Sequence, residues 1–163
     1  YLNPILKKFG YFGMEKAQTR NLANISPQAR AFALDPSRIY IHQQGKYFKG
    51  RVAKGDVQRI REDLKQLFEG YEIDGKKIIR KAYFQEELYS GAQMAAAPDL
   101  VLLSNPGYDL KGGLEKDQET GLSHFTGMHR QDNAFFAGSR GEPGSNPLTI
   151  FDIKALLYRL LAT

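Results

Sequence analysis

The chain has no cysteine among its 163 residues, and this absence limits its architecture and its chemistry more than any other feature. Disulfide-stapled folds, thiolate zinc sites, iron–sulfur clusters and thiol nucleophiles are excluded. The fold must therefore be held by a hydrophobic core. A chain of one domain's length in which 42% of residues are apolar can bury such a core without cross-links.

The charge of the chain raises the question of a nucleic-acid partner. Lys and Arg number 23 against 18 Asp and Glu, which leaves a formal charge of +5 and a pI near 9.3. The basic residues are mixed with acidic ones, as in residues 59–65, where alternating signs are typical of a solvated helix face. Because no stripe of a single sign is present, we do not expect nucleic acid to be the partner. The mean hydropathy of −0.47 and the absence of a long apolar run likewise argue against a membrane partner, and we expect a cytoplasmic location.

Hydrophobic periodicity predicts an α/β fold, a mixed sheet flanked by helices. Apolar residues at helical spacing favour helices over residues 2–9, 56–69 and 151–162, and Gly10 and Gly70 end the first two. The predicted strands cover residues 39–42, 78–83, 100–103 and 134–137.

Two details of the strand prediction concern pairing. Residues 38–52 are expected to form a hairpin or a strand–loop unit, and the Asp-Gly pair at residues 74–75 predicts a turn. Residues 100–103 are a continuous apolar run, which is typical of a strand buried on both faces of a parallel or mixed sheet.

Candidate chemistry concentrates in residues 105–133, a glycine-rich stretch without sustained periodicity that holds His124 and His129. A loop histidine can reach a metal ion, and His129 is followed by Arg130 and Asp132 just ahead of a predicted strand. The competing interpretation is a surface loop in which Arg130 pairs with Asp132. Three histidines with no H-x-x-x-H or H-E-x-x-H pair do not complete a zinc site by themselves.

Glu86 and Glu87 are a second candidate, a pair of carboxylates for acid–base chemistry. Neighbours in sequence point in different directions on a helix, so a solvated face is the favoured interpretation. The sequence also contains neither the G-x-S-x-G nucleophile motif nor the G-x-x-x-x-G-K-[ST] phosphate-binding loop.

Six short segments stand in a characteristic order, at residues 3–12, 38–52, 87–91, 97–101, 127–138 and 150–153. They are similar, in that order, to the patterns N-x-x-L-x-x-x-G-Y-[LF], I-Y-I-N-x-x-G-R…G-x-V, E-x-Y-x-G, P-D-L, G-x-H-R-x-D-…-F-x-x-G and I-x-D-I. Together they resemble the carboxy-terminal part of type I phosphodiesterase/nucleotide pyrophosphatase proteins of the alkaline phosphatase superfamily, especially the predicted phosphohydrolase/phosphomutase branch.

The resemblance implies that residues 1–163 are a single fragment of a larger domain, the carboxy-terminal portion of an alkaline-phosphatase-like α/β fold. Residues 38–91 would be a cap or inserted subdomain. Residues 97–163 would carry the core-sheet portion, the metal-ligand loop and the final helix.

The same resemblance implies the site residues. His129 would bind one of two divalent metal ions, zinc as the first choice or manganese, while Arg130 and Lys46 would contact a phosphate-ester or nucleotide substrate. The other metal ligands and a Thr or Ser nucleophile would come from the rest of the parent chain, because no S-D-H-G motif occurs here. This portion alone is expected to be inactive. His42 and Lys46 stand where the family usually has Asn and Arg, and the roles of His42 and His124 stay open.

Two functions of other classes remain as alternatives. One is a non-catalytic interaction or substrate-recognition module, in which His129 has no part in chemistry. The other, less favoured because of the scattered charge, is a basic nucleic-acid-binding domain.

Overall fold

The computed structural model describes residues 1–15, 21–122 and 149–161. Residues 1–128 and 129–163 are two separate units, and each is described by itself. The predicted strand at 134–137 lies outside the described residues.

The helices lie where periodicity predicts them. The described α-helices are α1 Leu2–Lys8, α2 Val57–Gly70, α3 Gln85–Leu88 and α4 Ile150–Leu161, with short 3-10 turns at Leu22–Asn24, Lys54–Asp56 and Met94–Ala96. Helix α2 buries Ile60, Leu64 and Phe68, one apolar stripe at a spacing of four residues. Gly10 follows α1 with a φ of 73°, a left-handed conformation that favours glycine. The three predicted helices are therefore confirmed.

The main sheet of the first unit has four strands in the order β1-β2-β6-β5. The strands of the unit are β1 Ala31–Phe32, β2 Arg38–Ile41, β3 Glu72–Ile73, β4 Lys76–Lys77, β5 Ile79–Phe84 and β6 Leu100–Ser104. Strands β2, β5 and β6 correspond to three of the predicted strands. The two-residue strand β1 was not predicted, because it is too short to show an alternating pattern.

The sheet is antiparallel, and the prediction of a mixed sheet is wrong for the described strands. Strand β6 pairs antiparallel with β2 on one side and with β5 on the other. Along β6, Leu100 and Leu102 are buried while Val101 and Leu103 are half-buried. One face of the strand thus meets the core and the other is only partly covered, as is common in antiparallel sheets. A short apolar run does not reveal that difference.

Strand β6 lies between β2 and β5, so residues 38–41, 79–84 and 100–104 share one sheet. Helix α2 contacts this sheet, and its apolar stripe joins Ile39 and Leu100 in the hydrophobic core. Strands β3 and β4 form a separate hairpin around the predicted Asp-Gly turn. Asp74 and Gly75 both have positive φ, 51° and 71°, as a two-residue hairpin turn requires.

Hydrogen bonds tie the start of the first unit to residues 111–113. The Leu2 N–H donates to the Lys111 carbonyl at 3.0 Å, and the Asn3 Nδ2 donates to the Gly113 carbonyl at 2.6 Å. On its other side this segment passes close to Leu34: a Cβ on Gly112 would lie 2.5 Å from the Leu34 carbonyl carbon, so only glycine fits there.

Helix α4 is described within the second unit. Its first turn is capped by Asp152, whose carboxylate accepts hydrogen bonds from the Thr149 backbone N–H at 2.8 Å and hydroxyl at 2.7 Å. These bonds hold the pKa of Asp152 below its usual value. Within the described parts of both units, no helix has the length and apolar character needed to cross a bilayer.

Candidate functional site

The start of strand β6 carries a buried carboxylate, Asp99, whose side chain is only 6% exposed. Its Oδ2 accepts the Ile41 N–H at 2.9 Å, and its own backbone N–H donates to the Ile39 carbonyl at 2.9 Å. Asp99 therefore joins β6 to β2 through its side chain as well as its backbone. Segments 38–52 and 97–101, which carry two of the family-like patterns, meet at this residue.

Lys46 supplies the nearest cation to Asp99. Its Nζ lies 3.9 Å from the Asp99 Oδ2 and 5.4 Å from the centre of the Tyr47 ring. The first distance is an ion pair but too long for a hydrogen bond, so Asp99 does not use the ammonium donors. The Lys46 side chain is a quarter exposed, so it lies at the surface of the protein beside a buried carboxylate.

Burial shifts the titration of the groups around this ion pair. Desolvation raises the pKa of Asp99 above its usual value, and the Ile41 N–H, Lys46 and Arg61 offset that effect only in part. Burial, followed by the negative charge of Asp99, raises the pKa of the Tyr47 hydroxyl. Burial and a hydrogen bond to Asp35 raise the pKa of Tyr40 to about 12. Both tyrosines are thus neutral donors at neutral pH.

Arg61 is a buried cation that also acts on the charge of Asp99. Its side chain is 7% exposed, it forms an ion pair with Glu86, and its guanidinium lies 4.7 Å from the centre of the Phe84 ring. The Arg61 Nε and the Gln85 Oε1 are buried without a hydrogen-bond partner among the described residues. The Arg61 Nε on α2 and the Gln85 Oε1 on α3 are therefore a buried donor and a buried acceptor whose hydrogen bonds are not made by the described residues.

The two adjacent carboxylates of α3 do not form a catalytic pair. Glu86 binds Arg61, which lowers its pKa, whereas Glu87 accepts the Phe84 N–H at 2.7 Å at the start of the helix. The two side chains thus have separate structural partners, in keeping with the sequence-based preference for a non-catalytic interpretation.

His42 has a structural role in the loop that carries Lys46. The ring is 1% exposed, and its Nδ1 and Nε2 each lie 3.0 Å from a backbone carbonyl, of Ala29 and of Phe48. Neither nitrogen is left to bind a metal ion. The same loop requires Gly50, because a Cβ there would lie 2.2 Å from the Gln43 carbonyl oxygen. Residues 38–52 are therefore a strand followed by a tight loop, and Val52 closes the loop through a single parallel bridge to Gln43.

The predicted metal ligand is His129. His124, His129 and Arg130 lie outside the described residues. Within residues 1–15, 21–122 and 149–161, no group of three or more His, Asp or Glu side chains is arranged to hold a metal ion. The described residues therefore do not fit a divalent metal centre by themselves.

Asp99 and Arg61 were not singled out as site residues from the sequence, although each left a signal, and the interpretation of residues 59–65 as a solvated face is wrong for Arg61. Asp99 stands between Pro98 and a continuous apolar strand, where a charge that enters the core needs a specific partner. Arg61 precedes Leu64 by three residues and Phe68 by seven, so it lies on the buried stripe of α2. A charged residue in register with an apolar stripe predicts a buried ion pair.

Comparison with models of protein families, with curated proteins and with solved structures gives no match to this chain.

Proposed function

We propose that this chain is the carboxy-terminal portion of a metal-dependent phosphoesterase with an alkaline-phosphatase-like fold, acting on phosphate esters or nucleotides. The cytoplasm as its location belongs to the same proposal. One observation carries most weight: two of the family-like segments, 58 residues apart in sequence, meet at the hydrogen bond between Asp99 and Ile41. Two family-like segments that are distant in sequence but adjacent in the structure can contribute to one site, as the proposed function requires.

Lys46 is the substrate-binding residue of this proposal. Asp99 holds the ammonium by charge at 3.9 Å, and the loop backbone fixes Lys46 through its N–H, which donates to the Gln43 carbonyl at 3.3 Å. Among the described residues no acceptor takes the ammonium donors, which then remain for a phosphoryl oxygen, to which a lysine binds as a point charge. The Lys46–Asp99 pair therefore positions one cation while most of its hydrogen-bonding capacity stays unused.

The metal ions of this proposal would need ligands beyond the described residues. His129 is the proposed ligand within this sequence, and Arg130 the second proposed substrate contact. The nucleophile and the other ligands would be supplied by the rest of the parent chain. Bound divalent ions in such a site would polarise a phosphoryl oxygen. The part that the described residues take is to bind and orient the substrate anion through Lys46.

The test uses a longer polypeptide that contains these 163 residues and compares two histidine variants. Hydrolysis of bis(p-nitrophenyl) phosphate and p-nitrophenyl phosphate is measured with zinc, with manganese and after chelation. We expect chelation and His129→Ala each to reduce hydrolysis by at least a hundredfold, whereas the matched control His124→Ala keeps most of it. The 163-residue chain alone should give no metal-dependent hydrolysis.

Lys46 is tested in the same assay. Lys46→Ala should lower kcat/KM about tenfold, mainly through KM, and Lys46→Arg should restore it because the family usually has arginine at this position. Metal-dependent turnover by the 163-residue chain alone would contradict the proposal. Unchanged activity in the His129→Ala variant would instead favour a recognition module.

A further inference from the structure

A cavity of about 360 Å³ lies between residues 27–30, residues 51–52 and the start of helix α2, apart from the Asp99 cluster. Its apolar lining is contributed by Ala29, Val52 and Ile60, which are 3%, 6% and 2% exposed. Because these three residues belong to the hydrophobic core, the base of the cavity is part of the folded scaffold. The volume is within the range of small-molecule sites.

The rim of this cavity is strongly basic. Arg30, Arg51 and Arg59 line it together with a single carboxylate, Asp56, so three positive charges face one negative charge. The Arg59 guanidinium lies 3.3 Å from the Asp56 carboxylate, and the Arg30 guanidinium lies 4.3 Å from the centre of the Tyr11 ring. For Arg51, no carboxylate lies within ion-pair distance in the described part of the chain.

The combination of an apolar base and an arginine rim selects a kind of ligand. A guanidinium presents its donors as a planar fork that matches two phosphoryl oxygens. A guanidinium without a carboxylate partner gains the most binding free energy from a phosphoryl group. The apolar base gains from a ligand with a hydrophobic body. A bare inorganic anion would satisfy only the rim, and an uncharged apolar compound only the base.

We propose that this cavity is a binding site for a small organic phosphate, with the phosphoryl group held by Arg51 and Arg59 and the organic group on Ala29, Val52 and Ile60. The site is independent of the proposed phosphoesterase function, because it uses neither Lys46 nor His129. It gives the chain a ligand-binding role even where no catalysis occurs.

The test titrates the 163-residue chain with phenyl phosphate and follows backbone amide signals by NMR. We expect saturable shifts centred on Ala29, Val52 and Ile60. Arg51→Ala should weaken binding about tenfold without loss of fold, since Arg51 is exposed and has no ion-pair partner among residues 1–15, 21–122 and 149–161. Arg80→Ala is the matched control, an exposed arginine on β5 that removes the same charge but does not line the cavity. Inorganic phosphate and phenol, the two halves of the probe, should each bind at least tenfold more weakly.

Several results would overturn this site. Equal weakening by Arg51→Ala and Arg80→Ala would mean that the attraction is a general effect of positive charge. Shifts centred away from the three base residues, or shifts that do not saturate, would place the phosphate elsewhere. Inorganic phosphate that binds as tightly as phenyl phosphate would remove the role of the apolar base. None of these results depends on hydrolysis, so the site and the proposed activity can fail separately.

Discussion

Asn3 and Asp99 are both buried polar residues at the edge of the same core, 1% and 4% exposed, yet their surroundings differ. The Asn3 side chain donates to the Ala33 carbonyl at 2.7 Å and the Gly113 carbonyl at 2.6 Å, and accepts the Ala33 N–H at 2.8 Å. Asp99 accepts one neighbouring backbone N–H and meets Lys46 only at 3.9 Å. Asn3 is saturated by backbone partners, whereas Asp99 is not.

The difference separates a structural polar group from one that can serve a ligand. A side chain whose bonds all go to backbone satisfies groups that the fold would otherwise leave buried and unpaired. A buried carboxylate with few hydrogen bonds can instead hold a neighbouring cation in place by charge. The donors of that cation then remain available to a ligand. The following variants test whether this contrast is real.

The largest effect is expected from Asn3→Ala. The substitution leaves the Ala33 N–H and carbonyl buried without partners and removes a part-buried bond to the Gly113 carbonyl, which should lower the free energy of unfolding by about 3 kcal/mol. Urea unfolding followed by far-UV circular dichroism measures the change. Asn105→Ala is the control, because its Nδ2 makes one exposed hydrogen bond, to the Lys77 carbonyl, and its loss should cost less than about 0.5 kcal/mol. Similar losses in the two variants would show that Asn3 is not the anchor its bonds suggest.

An intermediate effect is expected from Glu86→Gln. Arg61 is buried and would lose its charged partner, but Glu86 is 52% exposed and water can replace part of the interaction, so we expect a loss of about 1 kcal/mol at pH 7. The pKa of Glu86 is held low in the folded state by Arg61. Its contribution is therefore complete above the unfolded pKa of about 4.3 and disappears as the pH falls through the folded pKa. Wild type and variant should converge in acid, and a gap that persists below pH 3 would contradict this account.

The smallest effect, of opposite pH dependence, is expected from Asp99→Asn. The amide oxygen can still accept the Ile41 N–H, so the free energy of unfolding at pH 7 should change by less than about 1 kcal/mol. Burial raises the pKa of Asp99 in the folded state. This carboxyl group therefore adds to the free energy of unfolding of wild type below the unfolded pKa of about 3.9, and the contribution is lost as the pH rises through the folded pKa. The variant has no such loss.

The measurement is therefore the stability difference between variant and wild type across pH. The variant should gain on wild type from pH 3 to pH 7, the reverse of what is expected for a tightly bonded carboxylate. A difference that stays level or falls over that range would place Asp99 with Asn3 as a saturated structural group.

Much of the fold could be predicted from periodicity. The stripe in α2 and the turn at Asp74 both depend on neighbouring residues only, and both were predicted. The direction of the pairing around β6 was not, because it depends on which distant strands meet an apolar run that looks the same in either arrangement. The short strand β1 is likewise defined by its partner β2 rather than by its own residues.

Less of the candidate site could be predicted. Lys46 was singled out by its position in a family-like segment, and the structure adds the Asp99 carboxylate beside it. That proximity joins residues more than fifty positions apart, and no local pattern contains it. His129 and Arg130, on which the catalytic part of the hypothesis depends, lie outside the described residues and stay predictions.

The hydrogen bonds between residues 111–113 and the start of α1 also have a consequence for the order of folding. The bond from Asn3 to Gly113 spans 110 positions, so forming it closes a very large loop. The loss of chain entropy on closing that loop is offset only when the intervening chain has already condensed. Helix α1 is too short to persist alone in water. The contact of α1 with residues 111–113 therefore forms late in folding, whereas its bonds to Ala33 close a loop of only 30 positions.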